Sequence, residues 1–396
     1  MDEKNYNLIF FESRGTQNLK KLEKSGEILN EVDIFEGCLE ELFEIEHPWL
    51  KPSNGAFIPT KRAYLNEWKK KGSFESQGVW VYYPWSKLLI HFPDEGIYVR
   101  LRTSRNRNLV TEKEQAILNP KTIGIAGMSV GSNVLNTMVL TGLGRHFKIA
   151  DFDTISVPNL NRIMASASAV GMNKAIYFAR RALEVDPFLK IDVFSEGLDK
   201  KRFQSFFLDK KIDLFVEEMD HPYLKIESRK FARKNKIPVI MAADNGDGAL
   251  IDVERFDLEP DRPLFHGRLD KLIDLETIKK ELSFAEKLTI IANIVHLEEA
   301  TPRAQDSLKQ VGTILNTWPQ LGTAALLAGI SLTFAARRIL LGKEMLSGRY
   351  DVSFEKNFLE SFSSPSQKKY RLLHTKQVMR DFNAFQKLIT QATNED

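Results

Sequence analysis

From Lys121 onward the chain switches repeatedly between short unbroken apolar runs and longer amphipathic stretches. "KTIGIAG", "RHFKIADFD", "LKIDVFSE", "KIDLFVEE" and "IPVIMAAD" are runs of the first kind, and each predicts a strand buried on both faces. Between them "SNVLNTMVLTG", "NKAIYFARRALEVD" and "YLKIESRKFARKN" predict helices; in the second, Ile176, Ala179, Ala182 and Leu183 recur at near-helical spacing and form one face to bury. Strands alternating with helices of this length predict an α/β fold built on a doubly wound, mostly parallel sheet. "ALIDVERFDLEPDRPLFHG" (249–267) adds a strand and a return loop. The pattern is then helical through 271–342, ending in the small-residue helix "QLGTAALLAGISLTFAARRILLG" with Gly342 as its C-cap. Upstream, "LNEVDIFEGCLEELFEI" predicts a helix, and "GVWVYYPWSKLLIHF" (78–92) and "GIYVRLR" (96–102) predict strands from their aromatic and branched content.

These shifts divide the chain into an α+β N-terminal accessory module over 1–104, the alternating domain over 105–270, and a helical C-terminal part over 271–396 that completes it. In that last part Gly322, Ala325, Ala328 and Gly329 permit close approach of another element, within the subunit or in a dimer. "GRYDVSF" near the end is strand-like, and the remainder of the last fifty residues is polar without a readable period.

Composition narrows the picture only a little. Apolar residues at 43% and charged residues at 28% are ordinary for a soluble globular chain. The balance of 56 basic against 53 acidic residues leaves +3, too weak to argue for a nucleic-acid or membrane partner. The basic cluster "RKFARKNK" (229–236) is expected to be the solvated face of its helix. A single cysteine, Cys38, excludes an intrachain disulfide and a thiolate zinc site, and is expected to be a buried, inert thiol. The apolar run 321–336 falls short of the roughly 20 residues that span a bilayer. The first fifteen residues carry acids where a signal peptide carries positive charge, so a cytoplasmic protein is expected.

Chemistry first shows in "GIAGMSVGS", where Gly124, Gly127, Gly131 and Ser132 form a small turn between strand and helix. Such a turn lets an anion reach the free N–H groups of the helix N-terminus. Asp151 lies twenty residues after Gly131, where an acid ending the second strand meets a ribose hydroxyl. Asp153, Asn159, Arg162 and Lys174 then exceed what a dinucleotide site needs. Arg162 can grip phosphate with two N–H groups and Lys174 can act as a point charge; taken singly, each is an ordinary surface cation.

"ADFDTISVPNLNR" (150–162), followed by "GMNK" (171–174), resembles the core of the ThiF/MoeB superfamily, prokaryotic relatives of the ubiquitin-activating enzymes. Gly142 and Gly144, Asp151 and Asp153, the run Asn159–Leu160–Asn161–Arg162, and Lys174 take the family's places in order, and Asp220 in "LFVEEMDHP" takes that of its later aspartate. The resemblance spans about 105–270, together with the helix at 318–342 and its "WPQLG" lead-in. It implies a Rossmann-like fold that binds ATP and magnesium and adenylates a carboxylate, usually at the C-terminus of a peptide or a small ubiquitin-like or carrier protein, with release of pyrophosphate. By the same resemblance Gly127, Ser129 and Gly131 form the phosphate turn and Asp151 holds the ribose. Asn159, Arg162 and Lys174 handle phosphates, Asp153 is a second polar contact or a loop support, and Asp220 holds magnesium. The family's cross-subunit arginine corresponds to Arg107, with Arg105 as the alternative, which implies a homodimer.

The sequence departs from the family pattern in two ways. Ala126, Met128 and Ser129 stand where glycines are expected, and a Cβ there narrows the approach to the phosphates. Zinc-binding CxxC pairs and a thioester cysteine are both missing, so the acyl group is expected to pass directly to another nucleophile, or to a thiol supplied by a partner. "VWVYYPW" and "DVERFDLEPDRPLFHG" resemble a less characterised subgroup whose members sometimes carry a fused nitroreductase-like domain. Asp247 and His266 lie on loops that can line an acceptor site, or are structural. Trp80, Tyr82, Tyr83 and Trp85 suit the core of a small domain, with a peptide grip as their other use. The competing readings are a nucleotide-binding scaffold or sensor, and an NAD(P)-dependent oxidoreductase, which leaves Arg162, Lys174 and Asp220 unexplained.

Overall fold

The computed structural model describes residues 5–270, 272–275, 278, 281–308 and 310–392. They form two compact units, one running to Ala116 and including Ala179–Leu189, the other comprising Ile117–Phe178 and the chain from Lys190 onward. The sequence division at 104/105 and 270/271 thus sits beside a structural division at 116/117, and the helices after 271 cluster with the large sheet.

The first unit carries β1 (Ile9–Phe11), α1 (Gln17–Ser25), β2 (Asn30–Asp33), α2 (Phe35–Glu46), α3 (Phe57–Lys70), β3 (Val79–Tyr83), β4 (Leu88–Phe92), α4 (Glu95–Arg102) and most of α5 (Glu112–Leu118). Its sheet has the order β1-β3-β4-β2. Alternation along β3 sends Trp80 and Tyr82 to one face, with Phe11, Leu19 and Leu89, and Val81 and Tyr83 to the other, with Phe92. The aromatic cluster is therefore core. The segment 96–102 is a helix, not a strand: β4 stops at Phe92, Pro93 follows, and Glu95 opens a turn that sets Tyr98 edge-on against Phe92. The predicted helix at 29–45 begins only at Phe35, whose amide donates to the Asp33 carboxylate at 2.9 Å; the residues before it pair with β4. Cys38 is half-buried, and burial first, then Glu41 and Asp33, push its thiol up to about 11.

The second unit holds β5 (Thr122–Ala126), α6 (Val130–Thr141), β6 (His146–Ala150), α7 (Lys174–Val185, shared with the first unit from Ala179), β7 (Lys190–Phe194) and α8 (Lys200–Phe203). Then come β8 (Leu214–Glu217), α9 (Pro222–Lys234), β9 (Val239–Asn245) and β10 (Gly248–Glu254). The sheet order is β11-β10-β9-β8-β5-β6-β7, where β11 is Gly348–Val352. β9, β8, β5, β6 and β7 are parallel; β10 pairs antiparallel with β9, and β11 pairs antiparallel with β10. Strand order reverses at β5, which places a crevice beyond the carboxyl ends of β5 and β8, the position where open α/β sheets bind ligands.

The chain continues with α10 (Phe284–Val295), α11 (Pro302–Leu308), α12 (Gly322–Leu340), α13 (Phe354–Phe358) and α14 (Pro365–Ala392). By length and composition α12 is apolar enough to cross a bilayer, beyond the sequence expectation, but half of its apolar window is buried in the fold. Gly329 explains its closeness to α6: a Cβ there would lie 2.8 Å from the Asn133 carbonyl carbon. Between β7 and β8, Phe203, Phe206 and Phe207 plug the sheet against Phe215.

Candidate active site

The turn after β5 is held by contacts that only a small residue permits. Gly127 has φ +88°, and a Cβ on it would lie 2.3 Å from the Glu218 carbonyl oxygen. Gly131 lets the first turn of α6 pass Ile125, whose Cγ2 would meet its Cβ at 2.9 Å. Gly124 is not part of the turn; it lies inside β5 facing Ile212 and Phe206. Met128 is fully buried, and Ser132 donates its hydroxyl hydrogen bond to the Ser129 carbonyl at 2.7 Å.

Asp151 ties this turn to the end of β6. One carboxylate oxygen accepts from the Met128 amide at 2.6 Å, the other from the Asp153 amide at 2.7 Å. Burial raises its pKa, opposed by the Met128 amide and by Lys174. Each oxygen has a second lone pair, so the carboxylate can fix the turn and still accept from a ligand hydroxyl. Lys174, itself buried, places Nζ 2.9 Å from the Asp153 carboxylate. Asn159 accepts the Ser156 amide in a reciprocal cap at the start of the turn that carries Arg162. Arg162 is held by three acceptors: Nε donates to the Ser129 hydroxyl, and Nη1 to the Pro158 carbonyl and to the Asn161 side chain, each at 3.1 Å.

Beyond the turn opens a chamber of about 330 Å³. Ser129, Glu218, Asp220, Asp244 and Gln320 contribute polar groups; Leu288, Ile291, Leu297, Leu308 and Trp318 contribute apolar wall. Asp244, at the end of β9, accepts from Gln320 Nε2 at 2.9 Å, while its Oδ1 is buried without a hydrogen-bond partner among the described residues. Burial lifts the Asp244 carboxyl to about 6, against Gln320 and the charge of Arg162, with Asp220 adding repulsion. Glu218, whose carboxylate accepts the Ala242 amide at 2.7 Å, is pushed well above the ordinary range by burial.

Behind the chamber lies a buried ion network. Lys225, 3.1 Å from Glu217, also lines the chamber, and Arg229 pairs with both Glu217 and Glu254. Burial works against the ionised form of Glu217, but Lys225 and Arg229 outweigh it and leave its carboxyl below the ordinary value. The expectation of a solvated face over 229–236 fails at Arg229, which is fully buried.

The structure therefore places Ser129 and Asp220 on the chamber wall, with Arg162 bonded to Ser129, and Asp151, Asp153 and Lys174 in a second linked group, with Gly127 and Gly131 in the turn itself. Asp247 and His266 do not line the chamber: Asp247 accepts from Thr323, and His266 sits 3.0 Å from Asp252. Arg107 belongs to the first unit, exposed and paired with Glu112 at 2.6 Å. Sequence reasoning missed Glu218, Asp244 and Gln320. The only available signal was an acid at the carboxyl end of each of two predicted parallel strands.

A model of the ThiF family matches residues 103–369. An uncharacterized protein of Mycobacterium tuberculosis is 35% identical over 295 residues, which are 73% of this chain and 40% of that protein. The tRNA threonylcarbamoyladenosine dehydratase of Haemophilus influenzae is 27% identical over 125 residues, 31% of this chain and 46% of that one. The chain thus spans less than half the length of either curated relative. Among solved structures, the E. coli tRNA N6-threonylcarbamoyladenosine dehydratase TcdA in complex with ATP superposes with a TM-score of 0.45 at 16% identity, over 61% of this chain and 95% of that one.

Proposed function

Because the chain belongs to the ThiF family, we propose that it is an adenylyltransferase: it binds ATP with magnesium and activates a carboxylate, at the C-terminus of a peptide or small protein, as an acyl-adenylate. A carboxylate oxygen of the substrate attacks the α-phosphorus, the bond to the β-phosphate oxygen breaks, and pyrophosphate leaves with the electron pair. The observation that carries this reading is the juxtaposition of a glycine turn at a helix N-terminus with Arg162, fixed by Ser129, beside the carboxylates of Asp220 and Asp244. The amides at the N-terminus of α6 and the Arg162 guanidinium stabilise negative charge as it moves to the leaving group. Lys174 adds a second cation once phosphate competes with Asp153.

Asp220 is exposed on the chamber wall, and no cluster of three ligand-type side chains occurs among the described residues. That donor set fits magnesium, which takes one or two carboxylates and fills its shell with phosphates and water. When bound, the ion would neutralise charge on the phosphates. The chain's one thiol, on Cys38, is held protonated by burial, so the acyl group goes directly to an outside nucleophile. The working unit we propose is a cytoplasmic homodimer in which Arg107 of the partner subunit completes each site.

Calorimetric titration with ATP plus magnesium, and separately with NADH, tests the reading; saturable ATP binding without NADH binding is expected, and NADH binding alone would overturn it. Asp220→Ala should bind ATP without magnesium as the unaltered protein does, yet lose the roughly tenfold or greater tightening that a carboxylate-held ion confers. If magnesium tightens ATP equally in both proteins, Asp220 is not its ligand.

A further inference from the structure

The chamber lies where two apolar clusters of the second unit meet. Met241, Ile291 and Ile294 belong to one; Leu297, Leu308 and Trp318 belong to the other. Apolar side chains of both clusters line the chamber, which is partly open and holds about 330 Å³. Its size is at the lower end of pockets that enclose small organic groups.

At the polar side, the buried Asp244 Oδ1 has no donor among the described residues. A buried polar atom in that state is uncommon and calls for a partner from outside the fold. An occupant must therefore bring an apolar body for the chamber and an N–H or O–H for Asp244. On the adenylation reading it also places a carboxylate near Ser129, whose hydroxyl accepts from Arg162. The last residue of a peptide meets all three requirements, with its side chain, its own amide N–H and its α-carboxylate. A fatty acid of similar bulk lacks the donor.

We propose that this chamber selects peptides whose C-terminal residue is large and apolar, with Asp244 Oδ1 accepting the amide hydrogen of that residue. This rests on the adenylation reading, since the carboxylate so placed is the one to be activated.

The test uses the full chain and acetyl-pentaglycyl peptides ending in Phe, Leu, Gly or Asp, with decanoate as the acid lacking a donor, titrated by calorimetry. The Phe and Leu peptides should bind at least about tenfold tighter than the Gly peptide, the scale of discrimination an apolar pocket provides. Ala292→Trp, which fills the chamber, should erase that preference. If it does not fold, Leu288→Trp serves the same purpose from the wall. Asp244→Asn, whose N–H would face the peptide N–H, should weaken the Phe peptide by about tenfold and leave decanoate, which makes no such contact and loses only a repelling charge, no weaker. Equal binding of all four peptides, or decanoate binding as tightly as the Phe peptide, would overturn the proposal. Pyrophosphate release with ATP and magnesium is measured separately: tight, Asp244-dependent binding of the Phe peptide without release would uphold the peptide site and sink the adenylation reading instead.

Discussion

Burial lifts the Asp244 carboxyl to about 6, opposed by the hydrogen bond from Gln320 and the charge of Arg162. Its unfolded value is about 3.9, so between these two limits the native state holds a proton that the unfolded chain has released. The stabilisation this gives is fully present below about pH 4 and is lost as the pH rises through about 6. Asparagine keeps the acceptor for Gln320 and never ionises. Asp244→Asn should therefore raise stability by about 1–3 kcal/mol at pH 8 and by much less at pH 4. Urea denaturation at the two pH values is the check, and an equal effect at both would show that Asp244 does not titrate in this range. The same substitution is expected to weaken peptide binding, so the native residue keeps a strained charge for use at the expense of stability, as functional sites commonly do.

At the scale of elements, α6 and α12 approach each other closely in the second unit. A methyl group on Gly329 would sit 2.8 Å from the backbone carbon of Asn133, whose side chain donates to the Arg162 carbonyl at 3.0 Å. Gly329→Ala should thus cost about 1–3 kcal/mol by overpacking and also loosen the backbone that presents Arg162. A lower melting temperature accompanied by weaker ATP binding is the expected pair, and a lower melting temperature with unchanged binding would separate the packing from the site. The small residues along α12 were readable in the sequence, as were the five parallel strands, because strands buried on both faces appear as unbroken apolar runs. So was the group from Asp151 to Lys174, which lies within one crossover. What the chain did not disclose depends on partners distant in sequence. Arg229 reads as one base in a basic cluster until Glu217 and Glu254 close around it. Asp244 reads as a polar strand end until burial and Gln320, seventy-six residues on, define it. The aromatic and branched residues of 96–102 carry strand preference, whereas the Pro93–Asp94 break and contact with Phe92 make the segment a helix.

For the whole molecule, the open matter is how many chains make one site. The turn and chamber belong to the second unit and include Arg162 and Lys174, whereas Arg107 belongs to the first, where its exposed pair with Glu112 is of a kind that contributes little to stability. If Arg107 of the partner subunit serves each site of a two-fold dimer, the variants Arg107→Ala and Lys174→Ala should each be inactive alone but complement each other when mixed. A hybrid dimer then has one site with both cations and one with neither. Equal mixing makes half the dimers hybrid, so pyrophosphate release with the Phe-terminated peptide should recover to about a quarter of the unaltered level. An arginine acting within its own chain predicts no recovery at any ratio, because every site would then lack one of the two. Sedimentation of the same mixtures makes the result decisive. Dimers without recovery would remove Arg107 from the partner's site, and monomers with full activity in the unaltered protein would remove the dimer from the mechanism.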